Sequence, residues 1–388
     1  MRLLFICFSL LITTKIWCQN SSYITINSYL YTHENNKDLH QLDRFIKDKK
    51  LIGFGEATHG TSEFLKMRHR LFAYLVNEHN FNTLFLETDP GSCVRADAYV
   101  KGANDTLSVV TKELRQFMFT TTEMSAFIEW IRNYNLSHST QQISIVGVDM
   151  QTAHKNINTL YALIKDATVK KNLTPFLSSY NLYEDRTTLT PIVTSIQANS
   201  KNTTIKLLCD AVLQNLELDL KNQNKIEENA QARDQFLAKN IETYYALNSQ
   251  TKGLFLAHNG HVSFYTTKGY TRSGKFLKDI FNNAYYAIGT EFEKGSFIDT
   301  QYSNEKKTYV LHKFEIEKAH KSNLSGYLAT LPSDIYFITT NEIPKSKKRV
   351  HFAGGGFTEK YPYGIETTTD FDAFIFIRNS TPTHSIKK

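Results

Sequence analysis

Glu56 and His59 stand three residues apart in Gly55-Glu-Ala-Thr-His-Gly60, directly after the apolar run Leu51 to Phe54. A carboxylate beside an imidazole holds the ring in one tautomer and raises its pKa, as a general base requires. Four further apolar runs also close on an ionisable residue: Glu87, Asp149, His258 and Glu291. His258 opens the turn His258-Asn-Gly-His261. Two imidazoles at that spacing can share a metal ion, hydrogen-bond a substrate or donate to an oxyanion. One acid at a strand end is ordinarily a helix cap or a surface group. Five ionisable ends call for another reason, and a shared pocket supplies it.

In open parallel sheets ligands bind beyond the carboxyl ends of the strands, so the elements must bring these ends together. Lys50–Glu56, Asn82–Glu87, Gln142–Asp149, Lys252–His258 and Tyr285–Glu291 read as buried strands. Thr308–Phe314, Ile335–Thr340 and Ala373–Ile377 read as later ones. Between the first two, Phe64, Met67, Leu71 and Leu75 recur at helical spacing over Ser62–Glu78. This strand–helix–strand order predicts a βαβ unit with parallel pairing and a right-handed crossover. Leu39–Asp48 and Arg95–Asn133 are predicted helical, and residues 153–249 form a long, mainly helical insertion. Gly53, Gly55 and Gly60 are expected to supply positive φ and room for a ligand. The predicted fold class is α/β: a central, mostly parallel sheet flanked by helices, with an inserted helical lobe (roughly 153–249) forming the active-site cleft. Residues 20–388 read as a single domain.

A chain of 388 residues buries a substantial core. With 41% hydrophobic and 21% charged residues, long disorder is excluded. Residues 1–19 read as a cleaved secretion signal: Arg2, the apolar stretch Leu3 to Ile12, then polar residues after Cys18. That predicts an exported protein, periplasmic or secreted. The apolar stretch is too short to span a bilayer, so no stable membrane insertion is expected. Loss of Arg2 and Lys15 takes the net charge from +7 to +5. The remaining lysines are scattered apart from Lys345-Ser-Lys-Lys-Arg349, which argues for a solvated loop and against a nucleic-acid partner. Cys93 and Cys209 are the cysteines left after cleavage, and their spacing does not decide whether they pair.

Several mechanisms lack their signature. There is no G-x-S-x-G elbow, P-loop, G-x-G-x-x-G or H-E-x-x-H. Attack by an activated water is then the simplest chemistry. A second reading gives the same pocket a metal held by Glu56, His59, His258 and His261. A third is a non-catalytic envelope protein that binds glycans or small ligands, with which 26 Phe and 21 Tyr are compatible.

Taken together, Gly55–Gly60, Arg68, Leu86-Glu87, Gly147-Val-Asp-Met-Gln151, Arg233-Asp234 with Asn240, Ala257–His261 and Phe371-Asp-Ala373 occur in an order that resembles the erythromycin esterase family. The resemblance runs from about residue 40 to 384. It implies hydrolysis of an ester or macrolactone without a covalent intermediate, metal or other cofactor. His59 is then the general base and Glu56 its partner, with Arg68, Glu87, His258 and His261 in further catalytic positions. Asp149, Gln151, Arg233 and Glu291 are assigned to substrate binding. The small-molecule partner is an ester or macrolactone, with a macrolide antibiotic the leading candidate and resistance the outcome. An ammonium on such a substrate is expected to face Glu87, Asp149 or Glu291. Ser273 departs from the family's more usual Met at the start of the helix after the histidine pair. Oligomeric state is not encoded in these features.

Overall fold

The computed structural model describes residues 23–32, 36–179, 182–218, 225–344, 348–351 and 363–386. The predicted signal segment and most of the Lys345–Arg349 run lie outside the described residues.

The chain enters through a short strand, β1 (Ile24–Thr25), a 3-10 turn over Leu39–Leu42 and a helical turn, α1 (Asp43–Ile46). A continuous helix over Leu39–Asp48 does not form. Leu39 and Leu42, three residues apart, share one face of the tighter 3-10 turn and are fully buried with Ile46. Then come β2 (Leu51–Glu56), α2 (Ser62–His79) and β3 (Thr83–Leu86). Every residue of β2 and β3 is buried, as the unbroken apolar runs of a parallel sheet covered on both faces require. Helix α2 starts at an extended Thr61 and ends at Asn80 in the left-handed region (φ 58°). The predicted helical stretch 95–133 divides into α3 (Pro90–Val100), α4 (Leu107–Glu113) and α5 (Thr122–Ser137), and β4 (Ser144–Gly147) follows.

The helical insertion consists of α6 (Ala153–Leu163), α7 (Ala167–Leu173), α8 (Arg186–Asn199), α9 (Thr203–Glu217) and α10 (Ile226–Leu247). Its own apolar core joins Ile157 and Leu160 to Leu189, Val193, Leu208 and Val212. The chain re-enters the sheet through β5 (Gly253–His258), then makes the short α11 (Asn259–Val262) and α12 (Ser273–Phe281). The remaining elements are β6 (Tyr285–Ser303), β7 (Thr308–Ile316), α13 (Leu324–Leu328), β8 (Ile335–Thr339), β9 (Arg349–His351), β10 (Tyr363–Thr367) and β11 (Ala373–Ser380).

Among the described residues, nine strands form one mixed, mostly parallel sheet in the order β1-β8-β11-β6-β2-β5-β3-β4, with β7 paired to β6. The run from β11 to β4 is parallel; β1, β7 and β8 pair antiparallel. Alternate residues point to opposite faces. In β5, Leu254 and Leu256 pack toward α2 and α5, whereas Phe255 and Ala257 pack toward α10 and α12. Among the described residues no helix is long and apolar enough to cross a membrane.

Two sequence expectations change here. The strands β2 and β3 run in the same direction, as predicted, but they are not neighbours: β5 lies between them, paired parallel to both. The predicted strand ending at Glu291 in fact continues to Ser303, because the chain beyond Glu291 bends out as a ribbon that finds an antiparallel partner in β7. Glu291 is therefore inside a strand, opposite Phe376 of β11.

Candidate active site

The register of β2 on β5 sets Gly55 opposite Ala257 and Glu56 opposite His258. On the far side of β5, β3 delivers Glu87 one residue past its end, where the Glu87 amide donates to the Leu256 carbonyl at 3.2 Å. Three of the predicted ionisable ends thus meet side by side. Gly55 and Gly60 make the approach possible by lacking a side chain. Neither has a positive φ, contrary to expectation. A Cβ on Gly55 would lie 2.7 Å from a Val262 methyl, and one on Gly60 would strike the Ile298 carbonyl of β6. Protein, not ligand, fills the space they leave.

His59 Nδ1 lies 2.6 Å from Glu56 Oε1, and the second carboxylate oxygen lies 3.0 Å from Arg68 Nη1. The arrangement makes Nδ1 the donor and leaves Nε2 of the neutral ring with its lone pair. Burial alone pushes the His59 pKa down. The Glu56 hydrogen bond and charge, with Glu87 and Asp299 beyond, outweigh it and hold the ring above the ordinary imidazole value. Neither residue caps α2, since Thr61 occupies that position. Arg68 is fully enclosed, and burial draws its pKa down against the pull of Glu56 and Glu87.

Glu87 is the hub of the other half of the site. Its Oε2 accepts from the His258 amide at 2.9 Å, and its Oε1 accepts from Arg233 Nη2 at 2.8 Å and lies 3.3 Å from His261 Nε2. Burial would raise its carboxyl pKa, but the charges of His261, Arg233 and His59 hold it well below the usual range. Arg233 also grips Asp149 with two bonds, Nε to Oδ1 at 3.1 Å and Nη2 to Oδ2 at 2.7 Å. Such a planar fork is the arginine geometry that a carboxylate matches best.

The two histidines of the turn are held in opposite protonation states. His258 Nδ1 accepts from the Gly260 amide at 3.2 Å, which puts its ring proton on Nε2. Burial and the nearby His59 charge drive its pKa well below the imidazole range, and the two rings stand 5.1 Å apart between centroids. His261 Nδ1 lies 2.7 Å from Asp234 Oδ1. Burial lowers the His261 pKa, but Asp234 and Glu87 overcome burial and Arg233 and lift it to about 9. Its Nε2 sits between an anion and a cation, 3.3 Å from Glu87 Oε1 and 3.0 Å from Arg233 Nη1. The first contact suits the protonated ring and the second only the neutral one. That atom can lose a proton without leaving a neighbour unsatisfied.

A cleft of about 620 Å³ opens onto His59, Glu87, Gln151, Arg233, His258 and His261. Glu56 and Arg68 stand behind His59, and Asp149 is fully buried behind Arg233. Glu291 does not join them: its carboxylate takes the His351 amide at 2.6 Å and faces His351 Nδ1 at 2.5 Å. The expected acidic wall for a substrate ammonium is therefore absent as such. Buried carboxylates need a cation, and Arg233 already supplies one to Glu87 and Asp149. Among the described residues no three imidazole, thiol or carboxylate groups converge as a metal-holding set, and Cys93 and Cys209 are separate, buried thiols.

Sequence reasoning assigns Asp234 no role beyond its place in the Arg233-Asp234 motif and does not mark Tyr270 and Arg272; all three border the cleft. A signal for Asp234 was available. It falls on the buried stripe of α10 with Leu237, Ala238 and Ile241, a place where an acid needs a partner. Tyr270 and Arg272 sit in the approach to α12 with no periodicity to mark them.

The family model for erythromycin esterase matches residues 76–380. Erythromycin esterase type I of Escherichia coli is 30% identical over 111 residues, which is 28% of this chain and 26% of that protein. The match thus spans about a quarter of the curated relative's length. Among solved structures, a succinoglycan biosynthesis protein superposes with a TM-score of 0.81 at 21% identity, covering 94% of this chain and 96% of that one. A mutant of the erythromycin esterase EreC in its open conformation gives 0.72 at 16% identity, covering 94% and 100%. These structural likenesses show the fold.

Proposed function

Because the chain belongs to the erythromycin esterase family, we propose that it hydrolyses an ester or macrolactone by direct attack of water. A macrolide is the leading substrate. The observation that carries this reading is the His59 ring, anchored to Glu56 through Nδ1 while it borders the cleft. His59 Nε2 takes a proton from water as its oxygen adds to the carbonyl carbon. His258, protonated on Nε2, donates to the oxyanion, a contribution preorganised hydrogen bonds make in a water-poor site. Collapse expels the alkoxide, which takes the proton of His261 Nε2. Arg233 then donates to the lone pair left behind. The products are an acid and an alcohol, and both histidines re-equilibrate with solvent.

The cleft size falls within the range of sites for drug-sized ligands. Its apolar side, with Phe117, Met118, Leu218 and Ile226, suits the hydrocarbon face of a large lactone. The test is a mass-spectrometric screen of wild type and His59→Ala against macrolides of several ring sizes and simple esters. A mass gain of one water with wild type alone supports the reading. No such product with any ester overturns it. On the strength of residues 1–19, the reading places this reaction outside the cytoplasm.

The same assignment predicts a bell-shaped pH profile for kcat/KM. Activity rises as His59 loses its proton, at a midpoint above the ordinary imidazole value of 6.5 because Glu56 favours the charged ring. It falls as His261 loses its proton, at about 9. Glu56→Gln is expected to shift only the rising limb, and toward lower pH. Unmoved limbs in that variant would dissociate Glu56 from the base.

A further inference from the structure

The wall of the cleft behind His261 carries a chain of contacts that hydrolysis itself does not use. It begins at Glu366 of β10, which is fully buried. Glu366 Oε1 accepts from Arg272 Nε at 2.8 Å and faces Arg272 Nη2 at 2.7 Å. Arg272 Nη1 donates to the Tyr270 hydroxyl at 2.7 Å, and that hydroxyl donates to Asp234 Oδ2 at 2.9 Å. A hydroxyl has one proton, so accepting from Arg272 obliges it to point that proton at Asp234. Asp234 Oδ1 meanwhile takes the Ser273 amide at 2.9 Å and His261 Nδ1 at 2.7 Å. With three donors on its two oxygens and Arg272 Nη1 at 3.5 Å, the carboxylate is fixed in rotation and kept ionised.

We propose that Glu366 is a positioning residue for His261: from the β9–β10 ribbon it fixes Arg272, and through Arg272 and Tyr270 the Asp234 carboxylate that presents His261 Nε2 to the cleft. The proposal rests on the hydrolysis reading for what His261 does, but not for how it is held. Charge gives the chain a direction. Arg272 is shared between two carboxylates, Glu366 and Asp234. With a neutral residue in place of Glu366, the guanidinium turns to Asp234 alone and competes with the imidazolium for it. With a neutral residue in place of Arg272 as well, Asp234 serves His261 undivided. The other groups facing His261 stay in place throughout: Arg233 from the same helix as Asp234, Glu87 from the end of β3, and His258 from its own turn.

The experiment is a ¹⁵N-histidine NMR titration of the full chain, with His261→Gln to assign the resonance. Glu366→Gln is expected to lower the His261 midpoint by about one pH unit, from about 9, while His59 titrates as in wild type. The double replacement Glu366→Gln with Arg272→Gln keeps a buried amide pair in place of the ion pair and is expected to raise the midpoint instead. In turnover, Glu366→Gln should move the falling limb of the pH profile down by about the same one unit and leave the rising limb in place. Opposite shifts in the two variants support the proposal. A His261 midpoint that moves in neither, or that moves together with His59, overturns it. The titration needs no substrate. Failure to find any ester hydrolysed would therefore sink the hydrolysis reading alone, and an unshifted His261 in an active enzyme would sink this one alone.

Discussion

His59→Gln is expected to lower kcat/KM on the best substrate by about 10³-fold, roughly 4 kcal/mol of transition-state stabilisation. The glutamine amide keeps the volume and can still donate to Glu56, but it has no basic nitrogen near neutral pH. In wild type the ring donates through Nδ1 to Glu56 at 2.6 Å, so only Nε2 is left to take a proton from water. Since the proposed base touches the water and not the ester, the loss should appear in kcat with KM little changed. The fold should tolerate the change. Glu56 retains Arg68 at 3.0 Å, so no buried carboxylate is left without a cation. Steady-state kinetics and a urea melt on the same preparation test both halves of the statement. Activity within about tenfold of wild type, in a folded variant, would remove His59 from the role of base.

The parts of this site that local chemistry determines were readable from the chain, and the parts that depend on distant partners were not. Gly55–Gly60 could be read because strand, turn, acid and imidazole are contiguous, and the structure puts Glu56 and His59 in direct contact. The insertion of β5 between β2 and β3 could not, because β5 follows the whole helical lobe in the chain and its pairing with both strands is a long-range contact that no local pattern records. Glu291 looked like a strand end because the apolar run stops there. The continuation of β6 depends on β7, which pairs with it only beyond that point. The glycines misled in a different way. Gly55 and Gly60 mark crowding by Asn259, Val262 and Ile298, and crowding leaves the same trace in a sequence as an unusual φ. Asp234, Tyr270 and Arg272 form one hydrogen-bonded group from two segments that have no shared pattern.

Arg233→Met should destabilise the protein by about 3–5 kcal/mol at pH 7, the usual cost of removing one partner from a buried charge group. The methionine matches the arginine stem in bulk but leaves Asp149, which is fully buried, with only the Met150 amide at 2.8 Å among the described residues. Glu87 keeps the His258 amide and His261 but loses its closest cation. The pH dependence distinguishes this cause from a simple packing defect. In wild type the Glu87 pKa is depressed, so its contribution is present above the unfolded carboxyl value of about 4.3 and is lost as pH falls through the folded value. Without Arg233 that carboxyl is held down less, and a group poorly compensated in the folded state is relieved by taking up a proton. The deficit of the variant should therefore be largest at neutral pH and shrink as pH falls through about 4. Urea unfolding at both pH values measures it, and an equal deficit at the two would assign the loss to packing. Arg233→Lys should recover only part of the difference, because a point charge cannot make the fork to Asp149 and reach Glu87 together. The cation that pairs with two carboxylates beneath the cleft is also the donor beside His261 Nε2. On the proposed mechanism, stability and proton transfer at this site therefore depend on the same guanidinium, and the lysine variant should impair both.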